Sequence, residues 1–210
     1  MSSIAIIGTG HMGRALGHGW ALAGERVVYG SREPGARRDL GSVAPGAAVR
    51  SYGEALAEGE VVVIAIPFSQ VASFVQEHRD QLQGKIVVDI TNPFDDLKDR
   101  NKAAAQITSE LIGGRARVVA AFKDNFAGTL YREDRRDGER IQVRVAGDDD
   151  AAKAVVASLA EKLEADVLDC GSLANARFLD AMVSLMVFLD SAYADGHQRS
   201  GWIFASALCE

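Results

Sequence analysis

The run Gly8-Thr9-Gly10-His11-Met12-Gly13 follows the apolar Ile4-Ala5-Ile6-Ile7 directly and opens a helix-like stretch that Gly24 closes. Glycines at that spacing also occur by chance, so the flanking strand and helix carry the weight of the signal. Each glycine then has a task of its own. Gly8 permits a tight turn, Gly10 lets the backbone approach a pyrophosphate, and Gly13 brings helix and strand close together. The phosphates would rest on free N–H groups at the positive end of the helix. The chemistry implied is dinucleotide binding; a glycine turn that serves packing alone is the competing reading.

A second chemical signal stands at the end of the next strand-like run, Arg26-Val27-Val28-Tyr29, where the chain continues Gly30-Ser31-Arg32-Glu33-Pro34. A site built for NAD places a carboxylate here to accept from the ribose 2′-OH. A carboxylate would repel a 2′-phosphate, whereas a serine hydroxyl and a guanidinium supply charge-assisted hydrogen bonds to it. The pair Ser31 and Arg32 therefore implies NADP(H), with Arg37 and Arg38 one helical turn further and able to add charge. Glu33, the competing carboxylate, falls beyond the strand tip.

Acid–base chemistry is less clearly written. Lys123 and Asp124 follow a strand end on the cofactor side, and would be the proton donors if the acceptor were an imine, a ketone or a conjugated alkene. A Lys–Asp ion pair on a surface loop explains them equally well. Asn175 and Arg177 open a long apolar helix, and could hold an anionic substrate or cap that helix. The four histidines, His11, His18, His78 and His197, do not combine into metal-ligand spacing, so no metal site is expected.

The elements that must position these groups alternate along the chain. Strand-like runs are Ile4-Ile7, Arg26-Tyr29, Val61-Ile66, Ile86-Ile90, Arg117-Ala121, Ile141-Val145 and Asp166-Leu168. Helix-like runs are Met12-Ala23, Tyr52-Ala57, Val71-Arg79, roughly Leu97-Leu111 and Asp149-Leu163. Several strands are continuous β-branched runs, as in a parallel sheet covered on both faces. The expected fold is α/β: a Rossmann-type, doubly wound, mostly parallel sheet with C-terminal helices. Residues 1–147 would form the NADP-binding domain, and 148–210 a segment for pocket and dimerisation. Leu173–Tyr193 reads as a helix that is apolar nearly all round, with a thin polar stripe at Arg177, Asp180 and Ser184. Such a helix implies burial on most sides, either by core packing beneath the sheet or in a homodimer interface and a pocket wall.

Composition narrows the field. The 210 residues carry a net charge of −6, which argues against a general nucleic-acid binder, and 48% hydrophobic content suits a buried core. Two cysteines, Cys170 and Cys209, are too few for a disulfide framework. The first strand is preceded by neither a basic nor a long apolar leader, and the greasiest window, Ala181 to Leu189, is too short to span a bilayer. A cytoplasmic protein without membrane partners is expected.

The glycine turn, Gly30-Ser31-Arg32, Ala65-Ile66-Pro67, Val145-Ala146-Gly147-Asp148-Asp149-Asp150 and Asp169-Cys170-Gly171-Ser172-Leu173-Ala174-Asn175-Ala176-Arg177 together resemble the NADPH-dependent reductases of coenzyme F420, a deazaflavin. The resemblance extends to about residue 195. It implies hydride transfer between nicotinamide and deazaflavin, held face to face at the carboxyl ends of the strands, in a protein that dimerises through C-terminal helices. It also implies that Thr9, Gly10, His11 and Met12 meet the pyrophosphate, and that Ser31 with Arg32 meets the 2′-phosphate. Ile66, Pro67 and Phe68 would line the adenosine and nicotinamide side; Asn92 and Ala127 would lie near the nicotinamide. The chain departs from that family at Lys123-Asp124-Asn125 and at Gly201-Trp202-Ile203-Phe204. Two other functions fit the same cofactor: an NADPH-dependent reductase of a small organic substrate, and a non-enzymatic NADP(H) redox sensor.

Overall fold

Continuous apolar runs with few polar interruptions make the central strands of one sheet. In the computed structural model, which describes residues 3–36, 40, 44–94, 101–131, 140–198 and 200–205, these are β1 (Ser3–Ile7), β2 (Arg26–Gly30), β3 (Ala48–Arg50), β4 (Val61–Ile64), β5 (Ile86–Asp89), β6 (Arg117–Ala120), β7 (Ile141–Gly147) and β8 (Ala165–Asp169). The eight strands lie in the order β3-β2-β1-β4-β5-β6-β7-β8. The first six run parallel, with Ile7 level with Gly30 and Ile64, and Ile64 level with Asp89. β7 turns antiparallel to β6, and β8 runs parallel to β7 through five paired positions. The strand order reverses at β1, which leaves a crevice between the loops after β1 and β4, the usual place for a ligand in such sheets.

The sequence reading misses β3, a three-residue edge strand too short to show a period. It also runs β4 two residues too far: the chain turns at Ala65, where pairing with β1 ends in the bond from the Ala65 N–H to the Ile7 carbonyl. The expected boundary at 147 coincides with the end of β7, and β8 beyond it extends the same sheet.

Helices cover both faces: α1 (His11–Leu22), α2 (Tyr52–Glu58), α3 (Val71–His78), α4 (Ala104–Ile112), α5 (Ala127–Leu130), α6 (Asp150–Glu161) and α7 (Ala176–Tyr193). On one face Trp20, Tyr29, Phe122, Leu159 and Val143 share a buried cluster. There the Trp20 ring meets Phe122 edge-on, with centroids 5.9 Å apart, and its N–H donates to the Leu159 carbonyl. On the other face Ile7, Ile64, Phe74, Leu82 and Leu173 form a second cluster. Local signals set several helix starts. Ser51 and Glu54 form a reciprocal capping box at α2, and the Asp149 side chain accepts from the Ala152 N–H at α6.

α7 corrects an expectation. Of its polar stripe, Asp180 is buried and Arg177 and Ser184 are half-buried, Asp190 is buried as well, and within the single chain the expected burial on most sides is not reached, since Phe178, Leu185, Val187 and Phe188 are exposed. The inward carboxylates are tolerated because each has partners. The Asp180 Oδ2 accepts from the Ala104 N–H at 2.9 Å, and Asp190 accepts from the Gln198 N–H and the Ser200 hydroxyl. No described helix is long and apolar enough to cross a membrane.

Candidate functional site

The turn from β1 into α1 is built around a position closed to every residue but glycine. Gly8 has φ +115°, and a Cβ there would fall 2.3 Å from the Ala65 carbonyl oxygen. The turn can therefore sit directly against the end of β4. Gly13 packs close in the same way, since an added Cβ would meet the Gly8 carbonyl oxygen at 2.7 Å. Arg14 pins the turn from behind, its Nε donating to the Thr9 carbonyl. α1 then starts with Gly10 at its cap, without a side-chain cap bond and without an acidic residue in its first turn. Its leading N–H groups and the positive end of its dipole are left for an anion.

The tip of β2 completes the cradle. The Ser31 N–H donates to the Arg50 carbonyl, and its Oγ accepts from the Glu33 N–H, so Ser31 is fixed in place while its own O–H still has a proton to donate. Arg32 is exposed. A cavity of about 330 Å³ joins the two parts, lined by Gly8, Thr9, Gly10, Ser31, Arg32, Ala65, Ile66 and Pro67, with Glu33 also on its wall. A neighbouring cavity of about 500 Å³ shares Ser31, Arg32 and Ile66 and continues to Phe74 and His78. This donor set fits a dinucleotide carrying an extra ribose phosphate: backbone N–H groups for the bridging phosphates, a hydroxyl and a guanidinium for the third.

The remaining expected residues fall at varying distances from that cradle. His11 is exposed at the start of α1, and Met12 packs against the core beneath it. Phe68 is half-buried against the second core cluster. Asn92, past the end of β5, donates through Nδ2 to the Lys123 carbonyl at 2.8 Å. Ala127 opens α5 and rests on the first cluster. None of these five lines the two cavities at the β2 tip. Arg37 and Arg38 lie outside the described residues.

Lys123 and Asp124 have internal partners. Lys123 is fully buried; its ammonium pairs with Asp180 Oδ1 at 2.9 Å, lies 3.8 Å from Asp89 Oδ1, and donates to the Thr91 carbonyl. Asp89 in turn accepts from the Thr108 hydroxyl at 2.5 Å and from both the N–H and the hydroxyl of Thr91 at 2.8 Å. Asp124 pairs with Arg144 at 2.7 Å rather than with its chain neighbour, and burial pushes its carboxyl above the usual range against the pull of Arg144. The two residues thus form neither a surface pair nor a group open to solvent. Asn175 and Arg177 also turn to local work: Asn175 donates to the Cys170 carbonyl, and Arg177 lies over the Phe178 ring. Among the described residues no group of three His, Cys, Asp or Glu side chains is placed to hold a metal.

One feature of the region escaped the sequence reading. Tyr52 and Gln70 line both cavities at the β2 tip. The Ser51-x-x-Glu54 capping box marks the start of α2, but only the unrecognised pairing of β2 with β3 brings that start beside Ser31. The C-terminal segment, singled out in the sequence at Gly201-Trp202-Ile203-Phe204, folds back onto the sheet and α7. The Phe204 N–H donates to Gln142 Oε1, and the Trp202 ring N–H donates to the Met182 carbonyl. With Arg144 and Cys170 this segment borders a further cavity of about 470 Å³.

Comparison with known proteins agrees with this geometry. Residues 3–93 match the family model described as NADP oxidoreductase coenzyme F420-dependent. The F420-dependent NADP reductase of Methanothermobacter thermautotrophicus is 30% identical, over 89% of this chain and 88% of the relative. The metalloreductase STEAP3 of Rattus norvegicus is 35% identical over 85% of this chain, which spans only 36% of that longer protein. A crystal structure from Arthrobacter sp. FB24, assigned as an F420-dependent NADP reductase, superposes with a TM-score of 0.81 at 27% identity, covering 92% of this chain and 96% of the other.

Proposed function

Because the chain belongs to the F420-dependent NADP reductase family, we propose that it is an NADP(H)-dependent oxidoreductase that transfers hydride between the nicotinamide and coenzyme F420. The observation that carries this reading is the cradle at β1, α1 and the β2 tip, with a helix N-terminus that lacks a side-chain cap, a fixed hydroxyl and an exposed guanidinium around one cavity. When bound, the nicotinamide and the deazaflavin would supply the hydride donor and acceptor between them.

The chain's own part is binding and orientation. The first turn of α1, with Thr9 to Met12, holds the bridging phosphates. Ser31 and Arg32 hold the 2′-phosphate, with Arg37 adding charge. Ile66, Pro67 and Phe68 flank the nucleoside, while Asn92 and Ala127 border the nicotinamide end. Hydride transfer between two stacked rings relies on positioning and exclusion of water rather than on a strong acid. Lys123 and Asp124 are therefore assigned to architecture. The exposed Phe178, Leu185, Val187 and Phe188 of α7 favour a homodimer through that helix, since a monomer rarely leaves so large an apolar face to water. The expected setting is the cytoplasm.

Mixing purified protein with NADPH and F420, and following the absorbance of both, tests the proposal. Loss of the two chromophores in a one-to-one ratio is the expected result. Tight NADPH binding with no oxidation by F420 would overturn the acceptor assignment and favour reduction of a small organic substrate.

A further inference from the structure

A tyrosine stands where the two cavities at the β2 tip meet. Tyr52 lines both and is half-buried. Its ring owes this place to Gly30, the residue before Ser31 and Arg32: a Cβ on Gly30 would come 3.1 Å from Tyr52 Cδ1. Three contacts then fix the ring. Phe74 meets it edge-on with centroids 5.6 Å apart, His78 does so at 6.0 Å, and the Ser51–Glu54 box holds the first turn of α2 from which it projects.

The hydroxyl at the end of this locked ring has no hydrogen-bond partner among the described residues. Burial raises the Tyr52 pKa and the Arg32 charge lowers it, which places the phenol within the electrostatic reach of that guanidinium. A neutral phenol beside an exposed cation, both facing one cavity, is a donor set suited to a dianionic phosphate.

We propose that the Tyr52 hydroxyl is a third donor to the nucleotide 2′-phosphate, beside Ser31 and Arg32, and so a determinant of NADP(H) over NAD(H). This rests on the reading of the β2 tip given above. The ring's rigidity matters as much as its hydroxyl, because little rotamer freedom remains to be lost on binding. Gly30 suits this arrangement, since a Cβ there would crowd Ile7 Cδ1 at 2.9 Å and Tyr52 Cδ1 at 3.1 Å.

Tyr52→Phe removes the hydroxyl and keeps the ring on Gly30, Phe74 and His78. Calorimetric titration of the wild type and this variant with NADP+ and with NAD+, alongside their thermal midpoints, tests the assignment. The Kd for NADP+ should rise about five- to tenfold in the variant, with that for NAD+ unchanged and the midpoint preserved. An equal loss for both nucleotides would move the hydroxyl to the shared adenosine portion and overturn the proposal, as would no change for either. If the wild type itself does not prefer NADP+, the reading of Ser31 and Arg32 fails as well; if it does and Tyr52→Phe matches it, only the role of Tyr52 fails.

Discussion

The cradle at the β2 tip and the junction around Lys123 both concentrate polar groups at the carboxyl end of the sheet, and they do opposite things with them. At the cradle the donors face a cavity, and the backbone N–H groups of α1 have no side-chain cap. At the junction Lys123, Asp89 and Asp180 are almost wholly removed from water, and their charges are answered within the molecule. A charge that is to meet a ligand must stay desolvated only in the complex; a charge that ties helices to a sheet can be buried from the start, provided its partner is fixed. Charged residues near a cofactor are thus distinguished by their partners, not by their position after a strand.

The largest effect should come from breaking the junction. Asp180→Ala leaves the Lys123 ammonium buried without its nearest carboxylate, and should cost about 3–5 kcal/mol in denaturant unfolding. Lys123→Met combined with Asp89→Asn and Asp180→Asn should recover much of that loss, because no charge of the cluster is left buried alone and the amide oxygens can still accept from the Ala104 N–H and the threonine hydroxyls. A cost for Asp180→Ala below about 1 kcal/mol, the range of exposed pairs, would break the contrast between the two regions.

Arg32→Ala acts on the other side of the comparison. It should leave unfolding nearly unchanged and raise the Kd for NADP+ by about tenfold to a hundredfold, with little effect on NAD+. A loss of stability with no change in binding would make Arg32 architectural and erase the distinction. Ser51→Ala probes the boundary between the two kinds of role. Loss of the cap should cost about 1 kcal/mol of stability, and a smaller, secondary loss of NADP+ affinity should follow as the start of α2 loosens beneath Tyr52.

What could be read in the sequence was local. The glycine turn and the Ser31-Arg32 tip each lie within a few consecutive residues, and short β-branched runs announce the central strands, so the fold class and the nucleotide cradle were legible. The partners of Lys123 were not. Asp180 was read only as part of a thin polar stripe, because helical spacing gives the width of a polar face but not its direction; an inward face requires knowing that the Ala104 N–H and Lys123 wait behind it. Tyr52 was hidden for a related reason. Its approach to Ser31 depends on β3, whose three residues carry too little pattern to be recognised.

The account stands most directly on calorimetric titration of the wild-type protein with NADP+ and NAD+ under the same conditions. It predicts one site per chain for NADP+, with affinity at least about tenfold above that for NAD+, the margin of one charge-assisted contact. Equal affinities, or no heat with NADP+, would contradict it.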